Sequence, residues 1–113
     1  MTYDVIIRGG EIVDGTGSEP RRADLAIQGD RIAAIDDVSG DAALTIDATG
    51  KIVTPGFVDL HAHMDAQVMW DPKASPPCYH GITTMLNGNC GLSLAPVRPD
   101  EAGVLVKLLE FVE

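Results

Sequence analysis

Cysteine is nearly absent from this 113-residue chain, which holds only Cys78 and Cys90. Two thiols do not make the dense disulfide framework of a small secreted fold. Aromatic residues are scarce as well, at 4% with a single tryptophan, so a core has to be built from Val, Ile, Leu and Ala. Positive charge is thin: 8 Lys and Arg stand against 17 Asp and Glu, a net charge of -9. That balance argues against a nucleic-acid or anionic-membrane surface, both of which reward clustered basic side chains. No apolar run approaches the length of a membrane span. The start, Met1-Thr2-Tyr3-Asp4-Val5, lacks the basic and apolar blocks of a secretory signal. Cytoplasmic residence with reduced thiols is the expectation.

What is present is a string of short apolar runs cut by turn residues. The size suits one ordinary small domain, and hydrophobic residues at 45% are enough for a core. Val5–Arg8 leads through Gly9-Gly10 into Glu11–Val13, and Asp24–Gln28 through Gly29-Asp30 into Arg31–Ile35. Leu44–Asp47 and Lys51–Thr54 are joined by Ala48-Thr49-Gly50. Glycine pairs between apolar runs signal hairpins, because glycine reaches positive φ without steric penalty. The reading is three hairpins in a small antiparallel β unit over about residues 3–54, with polar connectors at 15–22 and 36–43.

The character changes at Pro55-Gly56. Phe57–Leu60 reads as a strand, and Ile82–Leu86, β-branched and apolar, as a second one. The connection between them holds Pro72, Pro76 and Pro77, so no long helix crosses it uninterrupted. A short helix starting at Ser75, with Pro76 in its first turn and Gly81 after its end, fits the spacing. Strand, crossover with helix, strand is the order of a parallel βαβ unit. After loop 87–99, Asp100 is placed to cap a final helix. On that helix Val104, Leu105, Leu108, Leu109 and Val112 share one face, a stripe suited to core packing.

The chemistry concentrates in Pro55-Gly56-Phe57-Val58-Asp59-Leu60-His61-Ala62-His63. Alternation along a strand sends side chains at i and i+2 to the same face, so His61 and His63 are aimed together. Neutral imidazole is a common zinc ligand. Functional groups of parallel α/β sheets gather at the carboxyl ends of strands. That rim also receives Asn87-Gly88-Asn89-Cys90-Gly91, which follows the second strand. Cys90 beside two imidazoles suits zinc, and Gly88 and Gly91 permit backbone angles that turn peptide N–H groups toward a ligand. Asp59 shares the parity of His61 and is either a partner orienting an imidazole or a carboxylate satisfied by backbone donors. Asp65 is open between metal ligand, substrate contact and loop residue. His80, at a helix end, is read as structural, where a cation meets the dipole favourably.

The run from Pro55 to His63 resembles the opening metal motif of the amidohydrolase superfamily, whose barrel is preceded by a β segment. Within it, His61-Ala62-His63-Met64-Asp65, Gly81-Ile82-Thr83-Thr84 and Gly88-Asn89-Cys90-Gly91 resemble the N-acyl-D-amino-acid deacylases (D-aminoacylases). The resemblance implies an α/β fold, with an N-terminal antiparallel β-sandwich segment over 1–54. The first βα units of an incomplete TIM (β/α)8 barrel follow over 55–113. It implies one or two Zn2+ ions, with His61, His63 and Cys90 as metal ligands completed by two later histidines. Asp59, Asp65 and Asn89 become candidates for supporting the ligands or the substrate. A water activated by the metal would attack the amide carbonyl of an N-acyl-D-amino acid, with an aspartate from a late strand moving the proton.

A complete (β/α)8 barrel takes about 250 residues, so the residues after 54 suffice for about two strands. The expectation is an N-terminal portion with no catalytic residue of its own, inactive by itself. Its unpaired strand edges and apolar surface would favour self-association. The alternatives are a fragment of a dihydroorotase- or hydantoinase-like cyclic amidase, or a non-catalytic self-associating remnant. The cyclic amidases share His-x-His but lack the Asn-Cys-Gly element.

Overall fold

A computed structural model describes residues 2–110 of the chain, which divide into two compact units between Pro55 and Gly56. The first unit holds β1 (Thr2–Ile12), β2 (Arg21–Gln28), β3 (Arg31–Asp36), β4 (Asp41–Asp47) and β5 (Ile52–Val53). They form one five-stranded sheet in the order β3-β2-β1-β4, with β5 also on β1. One face carries a small core: Ile6, Ala26 and Val38 are buried, with Tyr3, Ala34 and Ala42 packed against them. Register explains the grouping, because Ile6 pairs with Ala26 and Ala26 with Ala34 across three strands. The other face is an apolar concavity lined by Ile7, Leu25, Ile27, Ile32 and Ile35.

Of the three expected hairpins, the one between β2 and β3 forms around Gly29-Asp30. The other two do not. Gly9-Gly10 lies inside the continuous strand β1, where the register shifts between Ile7 and Gly10. Arg8 and Gly9 together oppose Asp24, a β-bulge with glycine at positive φ (69°). Asp24 fills the gap: its Oδ1 accepts the Gly9 N–H at 2.8 Å, and its Oδ2 accepts from the Arg8 guanidinium at 2.6 Å. The turn-forming glycines are thus absorbed by a side chain from the neighbouring strand.

The third pair, β4 and β5, is not antiparallel either. Both strands run parallel to β1, β4 along Thr2–Arg8 and β5 along Glu11–Ile12. Residues 48–50 only step the chain forward, with Ala48 N–H donating to the Arg8 carbonyl at 2.8 Å. The sheet is therefore mixed, not antiparallel. The polar connectors are also shorter than expected, because Arg21, Arg22, Asp36 and Asp41–Ala43 belong to strands.

The Asp24 contacts give this unit an acid limb. The Gly9 N–H, and then the Arg8 guanidinium, hold the Asp24 carboxyl below its ordinary value of 3.8. A carboxylate lowered in the folded state stabilises above its unfolded value, and that contribution disappears as pH falls below it. Asp24→Asn is expected to flatten the fall in stability below pH 3.8. The expected cost at neutral pH is on the order of 1 kcal/mol, since the pair is partly solvated. Urea titrations of both proteins across that range check it, and parallel acid limbs would refute it.

The second unit contains β6 (Phe57–Ala62), a single 3₁₀ turn at Gln67–Met69, α1 (Ser75–Tyr79), β7 (Ile82–Asn87) and α2 (Ala102–Leu109). β6 and β7 pair in parallel, as the strand–crossover–strand order requires. α1 starts at Ser75, with prolines in its first turn and His80 as its C-cap. Asp71 secures that start: its two oxygens accept the Ser75 N–H at 2.7 Å and the Ser75 hydroxyl at 2.9 Å. These bonds hold the Asp71 carboxyl below the ordinary range. Buried Ala62, Met64 and Ala74, with half-buried Met85, tie the crossover to the strands.

The last helix departs from expectation. It begins at Ala102 with Glu101, not Asp100, at the N-cap and no side-chain capping bond. A turn from the Arg98 carbonyl to the Glu101 N–H carries the chain one residue further before helical bonding starts. Val104 and Leu108 are exposed while Leu105 is half-buried, so the described part of the stripe does not serve as core. No described element packs on α2, and an amphipathic face without a facing surface stays in water. Val112 lies outside the described residues.

Candidate metal centre

His61, His63 and Cys90 come together in the second unit. One ligand atom from each lies within 4.8 Å of the others. Cys90 Sγ is 3.6 Å from His63 Nε2, and the two imidazole rings are 5.3 Å apart, tilted by 50°. Zinc bonds of about 2.0–2.1 Å to nitrogen and 2.3 Å to sulfur, in tetrahedral array, put neighbouring ligand atoms about 3.3–3.6 Å apart. The Cys90–His63 distance already meets that. A pair at the 4.8 Å limit has to close by about 1.2–1.5 Å, which exposed His61 and Cys90 side chains can do by rotation.

The convergence has a local cause beyond strand alternation. β6 ends at Ala62, and its pairing slips between Asp59 and Ala62, so Leu60 and His61 together oppose Leu86. A bulge of this kind re-aims side chains and recurs beside functional sites. His61 therefore leaves from a bulge, and His63 from just past the strand. Simple parity brings His61 and His63 together for a reason that holds only in part.

Cys90 is presented by a tight turn. Gly91 N–H donates to the Gly88 carbonyl at 2.9 Å, and both glycines have positive φ (76° and 88°), which a side chain would oppose. The Gly91 amide is spent on that bond and does not face a ligand. Asn89 is used structurally too, its Nδ2 donating to the Leu60 carbonyl at 2.8 Å. At the foot of the loop, Asn87 Oδ1 accepts the Met64 N–H at 3.2 Å.

The carboxylates divide. Asp59 Oδ1 accepts the backbone N–H of His61 at 3.0 Å, the backbone-satisfied alternative. Asp65 is outside the ligand group, and its Oδ1 accepts from the Ser93 hydroxyl at 2.6 Å and the Leu94 N–H at 3.1 Å. Ser93 was not anticipated, and nothing in the local sequence signals a partner so distant along the chain. Among the described residues, two buried side-chain atoms are left without a hydrogen bond, His63 Nδ1 and Asp65 Oδ2. A half-buried imidazole whose Nε2 is turned to a thiol fits a zinc ligand acting through Nε2. Both thiols, Cys78 and Cys90, are free and exposed.

Residues 44–107 match the sequence profile of the amidohydrolase family. The chain is 46% identical over 96 residues to a D-aminoacylase from Alcaligenes xylosoxydans xylosoxydans, covering 84% of this chain and 20% of that protein. An N-acyl-D-glutamate deacylase from the same organism is 47% identical over 94 residues, covering 82% and 19%. Among solved structures, the N-acyl-D-glutamate deacylase of Bordetella bronchiseptica, complexed with zinc and a phosphonate inhibitor, superposes with a TM-score of 0.78. It is 46% identical, over 86% of this chain and 21% of that one. The chain thus spans about a fifth of the length of the curated relatives it matches.

Proposed function

Because this chain belongs to the amidohydrolase family, we propose that it supplies His61, His63 and Cys90 to the zinc centre of an enzyme hydrolysing N-acyl-D-amino acids. The observation that carries the reading is the convergence of those three side chains within 4.8 Å. The relatives' names support the substrate class, since they act on N-acyl-D-amino acids as D-aminoacylase and N-acyl-D-glutamate deacylase. In this reading His61 and His63 hold the ion through ring nitrogens and Cys90 through its thiolate. Zinc bound there supplies Lewis-acid polarisation of the amide carbonyl. Asp59 orients His61 through its backbone amide, and the Asn89–Leu60 bond keeps the cysteine turn over the end of β6.

The same reading takes β6, its crossover and β7 as the opening of a (β/α)8 barrel, and the five-stranded sheet as part of a β-sandwich. It includes self-association, since β6 and β7 form a two-stranded sheet with outer edges unpaired among the described residues. Cys90 inside the ligand group disfavours the cyclic-amidase alternative. Zinc content is the test. After equilibration with zinc and dialysis into metal-free buffer, the chain is expected to keep roughly one ion. Retention of none would overturn the proposal.

A further inference from the structure

The loop carrying Cys90 is fastened at both ends. Before the cysteine, Asn89 is bonded to the Leu60 carbonyl. After it, Ser93 and Leu94 are bonded to a single carboxylate oxygen of Asp65 at 2.6 and 3.1 Å. Asp65 lies two residues beyond His63, so it links the end of the histidine segment directly to the far end of the cysteine loop. Both of its partners are donors, a hydroxyl and a peptide N–H, and a carboxylate is an acceptor at both. Charge-assisted bonds of this kind are stronger than neutral ones. Cys90 sits between the two fastenings, with its thiol 3.6 Å from His63 Nε2.

We propose that Asp65 is a positioning residue, whose carboxylate clamps Ser93 and Leu94 and thereby holds the Cys90 thiol against His63. The proposal rests on the zinc reading for its purpose, but not for its geometry. Without the clamp, no described hydrogen bond ties residues 91–95 to the histidine segment. Cys90 then samples positions away from His63, while His61 and His63 stay where β6 leaves them. The signature of a positioning role is therefore selective: the thiol is lost from the site and the imidazoles are kept.

Two measurements on the whole chain test it. In NMR spectra of the metal-free protein, a through-space contact between His63 ring protons and the Cys90 Hβ protons is expected. It should vanish in Asp65→Ala and weaken in Ser93→Ala. In a titration with Co2+ alone, Asp65→Ala is expected to lose the thiolate-to-cobalt charge-transfer absorption and to bind about 10–100-fold more weakly. The weaker d–d bands from histidine ligation should persist, whereas general unfolding would remove both signals together. If Asp65→Ala does not fold, Ser93→Ala decides, because it deletes one hydroxyl from the same clamp. The contact and the thiolate band at wild-type strength in the folded variant would overturn the proposal. Absence of any cobalt uptake by the wild-type chain would instead overturn the zinc reading, leaving the metal-free contact to judge the clamp.

Discussion

Cys90→Ala is expected to weaken zinc binding by more than about 100-fold, because even groups that only support ligands cost 10–100-fold. Cys78→Ala is expected to leave binding unchanged. The two cysteines are alike in being free and exposed, so the comparison separates position from thiol chemistry. Cys90 Sγ stands 3.6 Å from His63 Nε2, about the nitrogen–sulfur separation on a tetrahedral zinc. Cys78 lies in α1 and outside the ligand group. Removing Cys90 leaves two imidazoles, one of them exposed to competing water. Competition titration against a chromophoric chelator measures the ratio, and equal affinities for the wild type and Cys90→Ala would dismiss the cysteine as a ligand.

Gly56→Ala is expected to be the most damaging small substitution in the second unit. A Cβ at Gly56 would overlap the Thr83 side chain, with Thr83 Cβ itself only 2.7 Å away. Rotating the threonine cannot relieve a clash with its Cβ, which is fixed to the backbone of β7. The strands would have to part where Phe57 N–H bonds to the Gly81 carbonyl at 2.9 Å. Overpacking of this kind costs about 1–3 kcal/mol, occasionally more, and the upper end is expected here. His61 lies near the far end of β6 and Cys90 in the loop that follows β7, so zinc affinity should fall with stability. Thr83→Gly in the same chain should restore both. Urea unfolding of the two single variants and the double variant reads the coupling, and additive losses would show that the close approach is not the cause.

Local signals were legible where their partners are local too. Gly29-Asp30 makes its hairpin because the strands on either side are each other's neighbours. Gly9-Gly10 carries a similar signal, but Asp24 from another strand takes the Gly9 amide and turns the expected reversal into a bulge. Ala48-Thr49-Gly50 looks like a hairpin loop, yet the Arg8 carbonyl captures Ala48 and the next strand continues along β1. In each case a long-range hydrogen bond outweighed a short-range preference. The site follows the same division. His61, His63 and Cys90 were recognisable from residue type and strand order, and Asn89 was singled out without its role. Asp65 remained open among three readings, because its partners Ser93 and Leu94 are brought to it only by the folded loop.

The placement of β4 and β5 along β1 also sets an order of events. The β2–β3 hairpin needs only a short loop to close, which is fast. The first strand cannot complete its pairing until the chain has reached β5, since Thr2 must meet Asp41 and Glu11 must meet Ile52. Non-local parallel pairing of this kind bears the loop-closure entropy before any contact rewards it. The hairpin is thus the natural seed of the first unit, and β1 is the strand that waits.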